Sequence, residues 1–360
     1  MPYSQEEFIR MIHLINRKYK EDTTDSMLFT PIVENIISKL GSENICIWAQ
    51  SPGADVDLGS RPAFKLLVDA ARKINRGDTI FITSTPPHFV FMILLIRCFR
   101  NFKIIFQVQD LYPDILKILS WRFKVLYYLA IIPSYFLYKL VDVFLTISDE
   151  IKDHLIQQYS VSGKDIFFEE NWTDIECVNF FVKPMRNRIV YIGNIGRAHD
   201  YNYFLKYIMT ENVTTEVIIK TDNSSKIKLS NSDKIDANGL KQVNLPPFIK
   251  WDHTRYSKDE LAEFLSGFDY SIVFLGKDFD KILFPCKIYS SLAMLMPIIF
   301  FGPKESFVNI WLEKYNLGFH YESIRENYKN LDFYRKNIDR YNKENPIEKK
   351  IEYITQIILK

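Results

Sequence analysis

From residue 44 onward, short continuous apolar runs alternate with segments whose apolar positions recur every three to four residues. The runs lie at 44–49 (NICIWA), 79–83 (TIFIT), 103–108 (KIIFQV) and 143–147 (VFLTI), and they are rich in β-branched and aromatic side chains. Helical spacing is clearest over 63–74 and 149–159; the latter has Ser148 placed as its N-cap and Asp149 and Glu150 in its first turn. A strand that is apolar on both faces must be covered on both, and helices between successive strands supply that cover. The pattern therefore predicts an α/β fold with parallel sheets. The periodicity weakens over 160–187 and then restarts, with strands at 188–192, 217–220, 270–275 and 297–301 and helices at 261–268 and 287–295. Two α/β domains follow, at 1–175 and 176–335, with a helix at 336–360 packing back towards the first. The first 45 or so residues fit this rhythm less well: they read as helices, where a first strand with a glycine-rich turn is the usual opening.

Composition adds exclusions. The chain has 360 residues, enough for two cores, with 47% apolar and 25% charged residues. Its formal net charge of +2 gives no global basic field of the kind that binds nucleic acid. Cys46, Cys98, Cys177 and Cys286 are far apart and form no CxxC, so neither a zinc site nor a disulfide framework is indicated, and buried free thiols in a reducing compartment are the plain reading. The N-terminal stretch has no apolar run before a small-residue cleavage site, which points to the cytoplasm. The segment 121–145 is strongly apolar, but only 14 uncharged residues separate Lys124 from Lys139 and Pro133 interrupts them. A spanning helix needs about 20, so a buried or interfacial helix pair is expected.

Four stretches could carry chemistry. In YIGNIGRAHD (191–200) a strand ends in Gly193-Asn194-Ile195-Gly196, followed by Arg197. Glycines let a backbone approach a ligand closely, a following helix N-terminus favours an anion, and arginine binds phosphate in a bidentate fork; a purely structural turn is the alternative. In FPCKIYSS (284–291) Lys287 opens a helix after Pro285, where it could pair with a phosphate or simply be solvated. In QVQDLYPD (107–114) Asp110 lies at the carboxyl end of a strand, where ligands of open α/β sheets gather, although an N-cap reading is equally available. In STPPHF (84–89) Pro86 and Pro87 stiffen a loop that carries His88 at the end of another strand. No P-loop, GxSxG, HExxH or Asp-x-Asp pattern is present.

Taken together, DTIFITSTPPHF, KIIFQVQDLYPD, FLTISDEIKDHL, EENWTD, IVYIGNIGRAHD and PCKIYSSLAMLMPII resemble family 4 of the glycosyltransferases, especially enzymes of bacterial surface polysaccharide synthesis such as O-antigen or capsule. The stretches occur in that family's order over roughly residues 60–320. The resemblance implies the GT-B architecture, two Rossmann-like domains facing each other across a cleft. It also implies a retaining, metal-independent transfer from a nucleotide-diphosphate sugar, with no cofactor besides that co-substrate. The acceptor would be a glycan, often lipid-linked, and the protein would be cytoplasmic with a membrane-surface contact through 121–139. By motif, Gly193, Asn194 and Gly196 would line the diphosphate, Arg197 and Lys287 would neutralise it, Pro285 and Ser290 would complete the donor site, Asp110 would sit near the donor sugar, and Pro86, Pro87 and His88 would face the acceptor. The family's glutamate three residues after the lysine is Ser290 here, and the glycine usual before Pro297 is Met296. An inverting GT-B enzyme such as a galactofuranosyltransferase, an inactive GT-B scaffold partner, and an unrelated two-lobed binding protein are the competing readings.

Overall fold

The structure, a computed structural model, describes residues 10–20, 24–51, 54–58, 63–83, 87–119, 121–175, 188–193, 198–200, 202–204, 207, 216–220, 249–254, 256–280 and 282–360. The chain divides into two compact units, one of Met1–Asn171 with Ile347–Lys360 and one of Trp172–Pro346. The sequence rhythm put its joints at 175 and 335. The first falls earlier because Trp172 and Ile175 are buried, the latter among the side chains of unit 2. The second falls later because the helix Leu331–Glu344 buries Leu331 and Tyr334 in the unit 2 core.

Unit 1 is built on seven parallel strands, β1 (Ile12–Ile15), β2 (Ile45–Ala49), β3 (Val56–Asp57), β4 (Thr79–Thr83), β5 (Lys103–Val108), β6 (Val143–Thr146) and β7 (Asp165–Phe168), in the order β3-β2-β1-β4-β5-β6-β7. β1 corrects the sequence reading: it lies in the centre of the sheet, paired with β2 and β4, within a stretch read as helical. All four of its residues are buried, including His13. His13 is tolerated there because both ring nitrogens are satisfied. Nε2 lies 3.1 Å from Asp78 Oδ2, and Nδ1 accepts from Trp48 Nε1 at 3.2 Å. β7 is a second correction, an edge strand inside the segment read as a connection.

Helices Ala63–Lys73, Pro87–Arg97, Trp121–Tyr138 and Asp149–Tyr159 follow one another in contact. Ser148 caps the last of them, its Oγ accepting from the Ile151 amide at 3.2 Å. The segment expected as a helix pair is instead one continuous 18-residue helix, Trp121–Tyr138, running through Pro133. No described helix is long and apolar enough to cross a membrane. The helix Thr24–Leu40 buries Leu28, Phe29, Ile32, Val33 and Ile36 and packs against the helix Ile347–Leu359. Lys350 Nζ fastens that last helix by bonding Glu170 Oε2 at 3.2 Å and the Asn171 carbonyl at 3.3 Å. Cys46 is buried, but Cys98 is exposed, against the expectation that the thiols are all buried; Cys177 lies outside the described residues.

Unit 2 has six parallel strands, β8 (Arg188–Ile192), β9 (Glu216–Lys220), β10 (Ile249–Asp252), β11 (Tyr270–Phe274), β12 (Ile298–Phe301) and β13 (Gly318–His320), in the order β10-β9-β8-β11-β12-β13. Both sheets thus contain the doubly wound order 3-2-1-4-5-6, counted within each unit. The order reverses between β1 and β4 in one unit and between β8 and β11 in the other. In such sheets a crevice opens at that reversal, outside the carboxyl ends of the strands, and ligands bind there.

Candidate nucleotide site

At the unit 2 reversal, β8 ends in Ile192 and the chain turns at Gly193, with φ of +108°. A side chain is disfavoured at that angle, and a Cβ there would also stand 3.3 Å from Lys287 Nζ. Glycine therefore makes room for the lysine. Lys287 is the first residue of the helix Lys287–Ala293, which runs between β11 and β12. Its Nζ donates to Tyr191 Oη at 2.7 Å, lies 3.1 Å from His199 Nε2, and stands 4.4 Å from the Tyr191 ring centroid. Tyr191 is fully buried, and burial pushes its phenol above the usual range. Burial also lowers the Lys287 ammonium to about 7. The chain beyond the turn is tied to the neighbouring strand: Gly276, just after β11, donates its amide to the Ala198 carbonyl at 2.8 Å. Asn194, Gly196 and Arg197 lie outside the described residues.

Pro285 is buried in the loop before the helix, and its carbonyl accepts from the Ile288 amide at 3.1 Å. Ser290 sits one turn along, its Oγ 3.3 Å from Thr173 Oγ1. Ser291 faces the sheet and bonds Ser271 Oγ at 2.8 Å. Two further charged groups at the carboxyl edge of this sheet went unnoticed in the sequence. Lys220 ends β9, is buried, and stands 5.3 Å from the Tyr256 ring centroid. Asp252 ends β10 and accepts from Tyr256 Oη and the Thr254 amide, each at 2.8 Å. Partial burial would raise its carboxyl, but those bonds and the Lys220 charge hold it below the usual range. The two lie 32 positions apart, so spacing alone gave no signal.

In unit 1 the corresponding edge gathers residues from β1, β4 and β5. Thr83 Oγ1 donates to Asn16 Oδ1 at 2.6 Å, joining the ends of β4 and β1. Asp110, half-buried just beyond β5, shares the surroundings of Tyr112 with Arg17. Burial raises the Tyr112 phenol, the Asp110 charge adds to this, and the Arg17 charge opposes it. The sequence pattern does not single out Asn16 and Arg17, because the stretch that holds β1 reads as helix. Asp114, the last residue of the same motif, is buried and accepts from Tyr159 Oη at 2.5 Å and bonds His154 Nε2 at 3.1 Å, a structural anchor for the loop that carries Asp110. Pro87 and His88 form the first turn of the helix after β4, while Pro86 lies outside the described residues. Among the described residues no cluster of His, Cys, Asp or Glu could hold a metal ion.

No protein-family model and no curated protein matches the sequence. Solved structures do match along nearly the whole chain. Sucrose-phosphate synthase from Thermosynechococcus elongatus superposes with a TM-score of 0.67 at 11% identity, covering 97% of this chain and 98% of its own. HepE from Anabaena, solved in complex with UDP and glucose, gives 0.63 at 10% identity, covering 97% and 99%. The UDP-forming α,α-trehalose-phosphate synthase from Burkholderia vietnamiensis gives 0.59 at 9% identity, covering 97% and 98%. The chain has the GT-B fold. In this GT-B chain the Gly193 turn and Lys287 lie together on unit 2, and Asn16, Thr83, Asp110 and Arg17 lie along the carboxyl edge of unit 1. At these identities the likeness concerns architecture.

Proposed function

We propose that this protein is a nucleotide-sugar-dependent glycosyltransferase that moves a sugar to a glycan acceptor of surface polysaccharide synthesis. The observation that carries this reading is Lys287. Its amine is poised over the Gly193 turn, at the reversal of strand order, and the groups that hold it, the Tyr191 hydroxyl and the His199 ring, include no carboxylate with which an incoming anion must compete. HepE, of the same fold, was solved with UDP bound.

In this reading the diphosphate rests against Gly193, Asn194 and Gly196. Arg197 and Lys287 stabilise the charge that grows on the leaving diphosphate, where electrostatic catalysis acts most strongly. Pro285 and Ser290 border the nucleoside, Asp110 attends the donor sugar, and Pro86, Pro87 and His88 border the acceptor. Transfer is retaining and needs no metal, and the acceptor is lipid-linked, reached through a membrane-surface contact of 121–139.

Titration calorimetry with UDP and UMP tests the core of this. Lys287→Ala weakens UDP roughly 10- to 100-fold, the worth of one charge-assisted hydrogen bond, and changes UMP much less. Equal losses for both would remove the lysine from the second phosphate. The anomeric configuration of the product, read by NMR, decides between retention and inversion.

Ser290 supports a narrower reading of the donor. A carboxylate at this position could accept from both ribose hydroxyls, whereas the Ser290 hydroxyl is neutral and already within 3.3 Å of Thr173 Oγ1. A deoxyribose loses less by that exchange, which favours dTDP over UDP. Ser290→Glu then shifts the affinity ratio towards UDP. Tight UDP binding by the unaltered protein would rule the deoxyribose preference out.

A further inference from the structure

The amino edge of the unit 1 sheet, away from Asn16 and Thr83, carries an arginine-lined groove that no role accounts for. The helices Ala63–Lys73, Pro87–Arg97 and Trp121–Tyr138 lead into β4, β5 and β6, so their C-terminal ends lie along the amino edge of the sheet. Between the first two ends opens a groove of about 490 Å³ whose walls include Arg72, Asn75, Arg76, Phe99, Arg100 and Asn101. The three arginines are exposed. Arg100 Nη1 donates to the Ile74 carbonyl at 2.6 Å, which anchors it without neutralising it. The nearby acids are engaged elsewhere: Asp78 bonds His13 and the amides of Met11 and Asn75, and Asp142 faces Arg97. Three guanidinium groups therefore converge on one groove in a chain whose net charge is only +2.

The groove has an apolar rim. Phe99 is 88% exposed, and Leu95, one turn earlier on the same side of its helix, is 48% exposed. That helix packs against Trp121–Tyr138, whose outward stripe consists of Val125, Tyr128, Leu129, Ile132 and Phe136, each more than half exposed. Exposed apolar surface of this extent marks an interaction site. The spacing of 125, 129, 132 and 136 keeps it on one helical face. Cations beside an apolar ridge suit an anionic bilayer surface, where side chains such as phenylalanine enter the acyl boundary while arginines meet phosphates.

We propose that the Arg72–Arg76–Arg100 groove binds the phosphodiester headgroup of an anionic lipid, with Phe99 inserted beside it, so that unit 1 grips the membrane at this sheet edge as well as along the helix. The choice of a lipid over a soluble phosphate rests on the membrane contact of 121–139 proposed above; the groove itself does not.

Vesicle flotation with phosphatidylcholine, alone or mixed with phosphatidylglycerol, tests this, read together with alkylation of the exposed Cys98, which adjoins Phe99. The intact protein is expected to favour phosphatidylglycerol vesicles, and these vesicles are expected to protect Cys98. Arg72→Gln with Arg76→Gln lowers binding to the mixed vesicles roughly tenfold or more, and Phe99→Ser lowers it roughly tenfold. Both variants change exposed side chains and leave UDP affinity intact, which controls for folding. The groove assignment is overturned if the double arginine variant binds mixed vesicles like the unaltered protein, or if Cys98 stays equally reactive on bound vesicles. Leu129→Ser with Ile132→Ser separates the two ideas. If that variant abolishes flotation while the arginine pair has no effect, the helix contact stands and the groove falls. If the intact protein binds no vesicle and short-chain phosphatidylglycerol below its micelle threshold leaves Cys98 unprotected, both fall.

Discussion

Lys287 is held by the Tyr191 hydroxyl and the His199 ring in a confined space, and its behaviour with pH follows from its burial there. Burial lowers its pKa to about 7 from an ordinary 10.5. Above pH 7 the folded protein holds a neutral amine, while the unfolded chain keeps its proton up to about pH 10.5. The unfolded state binds more protons across this window, so the stability contributed by Lys287 rises as pH climbs through it. A bound diphosphate reverses the preference by favouring the ammonium. UDP affinity is therefore expected to fall by up to about tenfold per pH unit above pH 7, while Lys287→Met shows no such slope. Titration calorimetry at about pH 6 and about pH 8.5 reads the difference. Gly193→Ala forces a side chain into a positive-φ turn and towards the lysine. It is expected to cost about 1–2 kcal/mol in urea unfolding and to weaken UDP as the ammonium is displaced.

At the scale of elements, the strand that mattered most was the one least visible. β1 reads Ile-His-Leu-Ile, and the imidazole interrupts what would otherwise be an apolar run. Its burial depends on partners contributed by residues 35 and 65 positions away, Trp48 and Asp78. His13→Leu leaves an indole N–H and part of a carboxylate unpaired in the core. A loss of about 2–4 kcal/mol in urea unfolding is expected, against under about 1.5 kcal/mol for the volume-conserving Leu14→Met in the same strand. The strands 79–83 and 103–108 are legible to the residue because each is a short, nearly continuous run of apolar, β-branched and aromatic side chains. The site divides along the same line. Gly193 and Lys287 are each marked by a local motif. Asn16, Lys220 and Asp252 gain meaning only once the strand order of each unit places them at the carboxyl edge of their own sheet. Reading 160–187 as plain connection missed β7 because an edge strand buries little: its pattern is exposed, half, half, exposed, with no run of buried positions.

At the scale of the whole molecule, the two units have separate cores and need not melt together. A nucleoside diphosphate bound on unit 2 stabilises that unit by about 2.7 kcal/mol at 100 times its dissociation constant. Calorimetric scans are expected to show UDP shifting one transition and leaving the other in place. Lys350→Ala acts on the opposite unit. It removes the ion pair with Glu170, which is 13% exposed, and the bond to the Asn171 carbonyl, and is expected to cost about 1.5–3 kcal/mol in the transition that UDP does not move.

Because Ile347–Leu359 lies against Thr24–Leu40, unit 1 is discontinuous in the chain. During synthesis the ribosome must deliver all of Trp172–Pro346 before that last helix emerges, a wait on the order of ten to thirty seconds at cellular elongation rates. Throughout it the nascent first unit exposes the surface that the final helix will cover. Chaperone engagement and protease sensitivity of stalled chains are expected to persist until residue 359 clears the exit, however early unit 2 has folded.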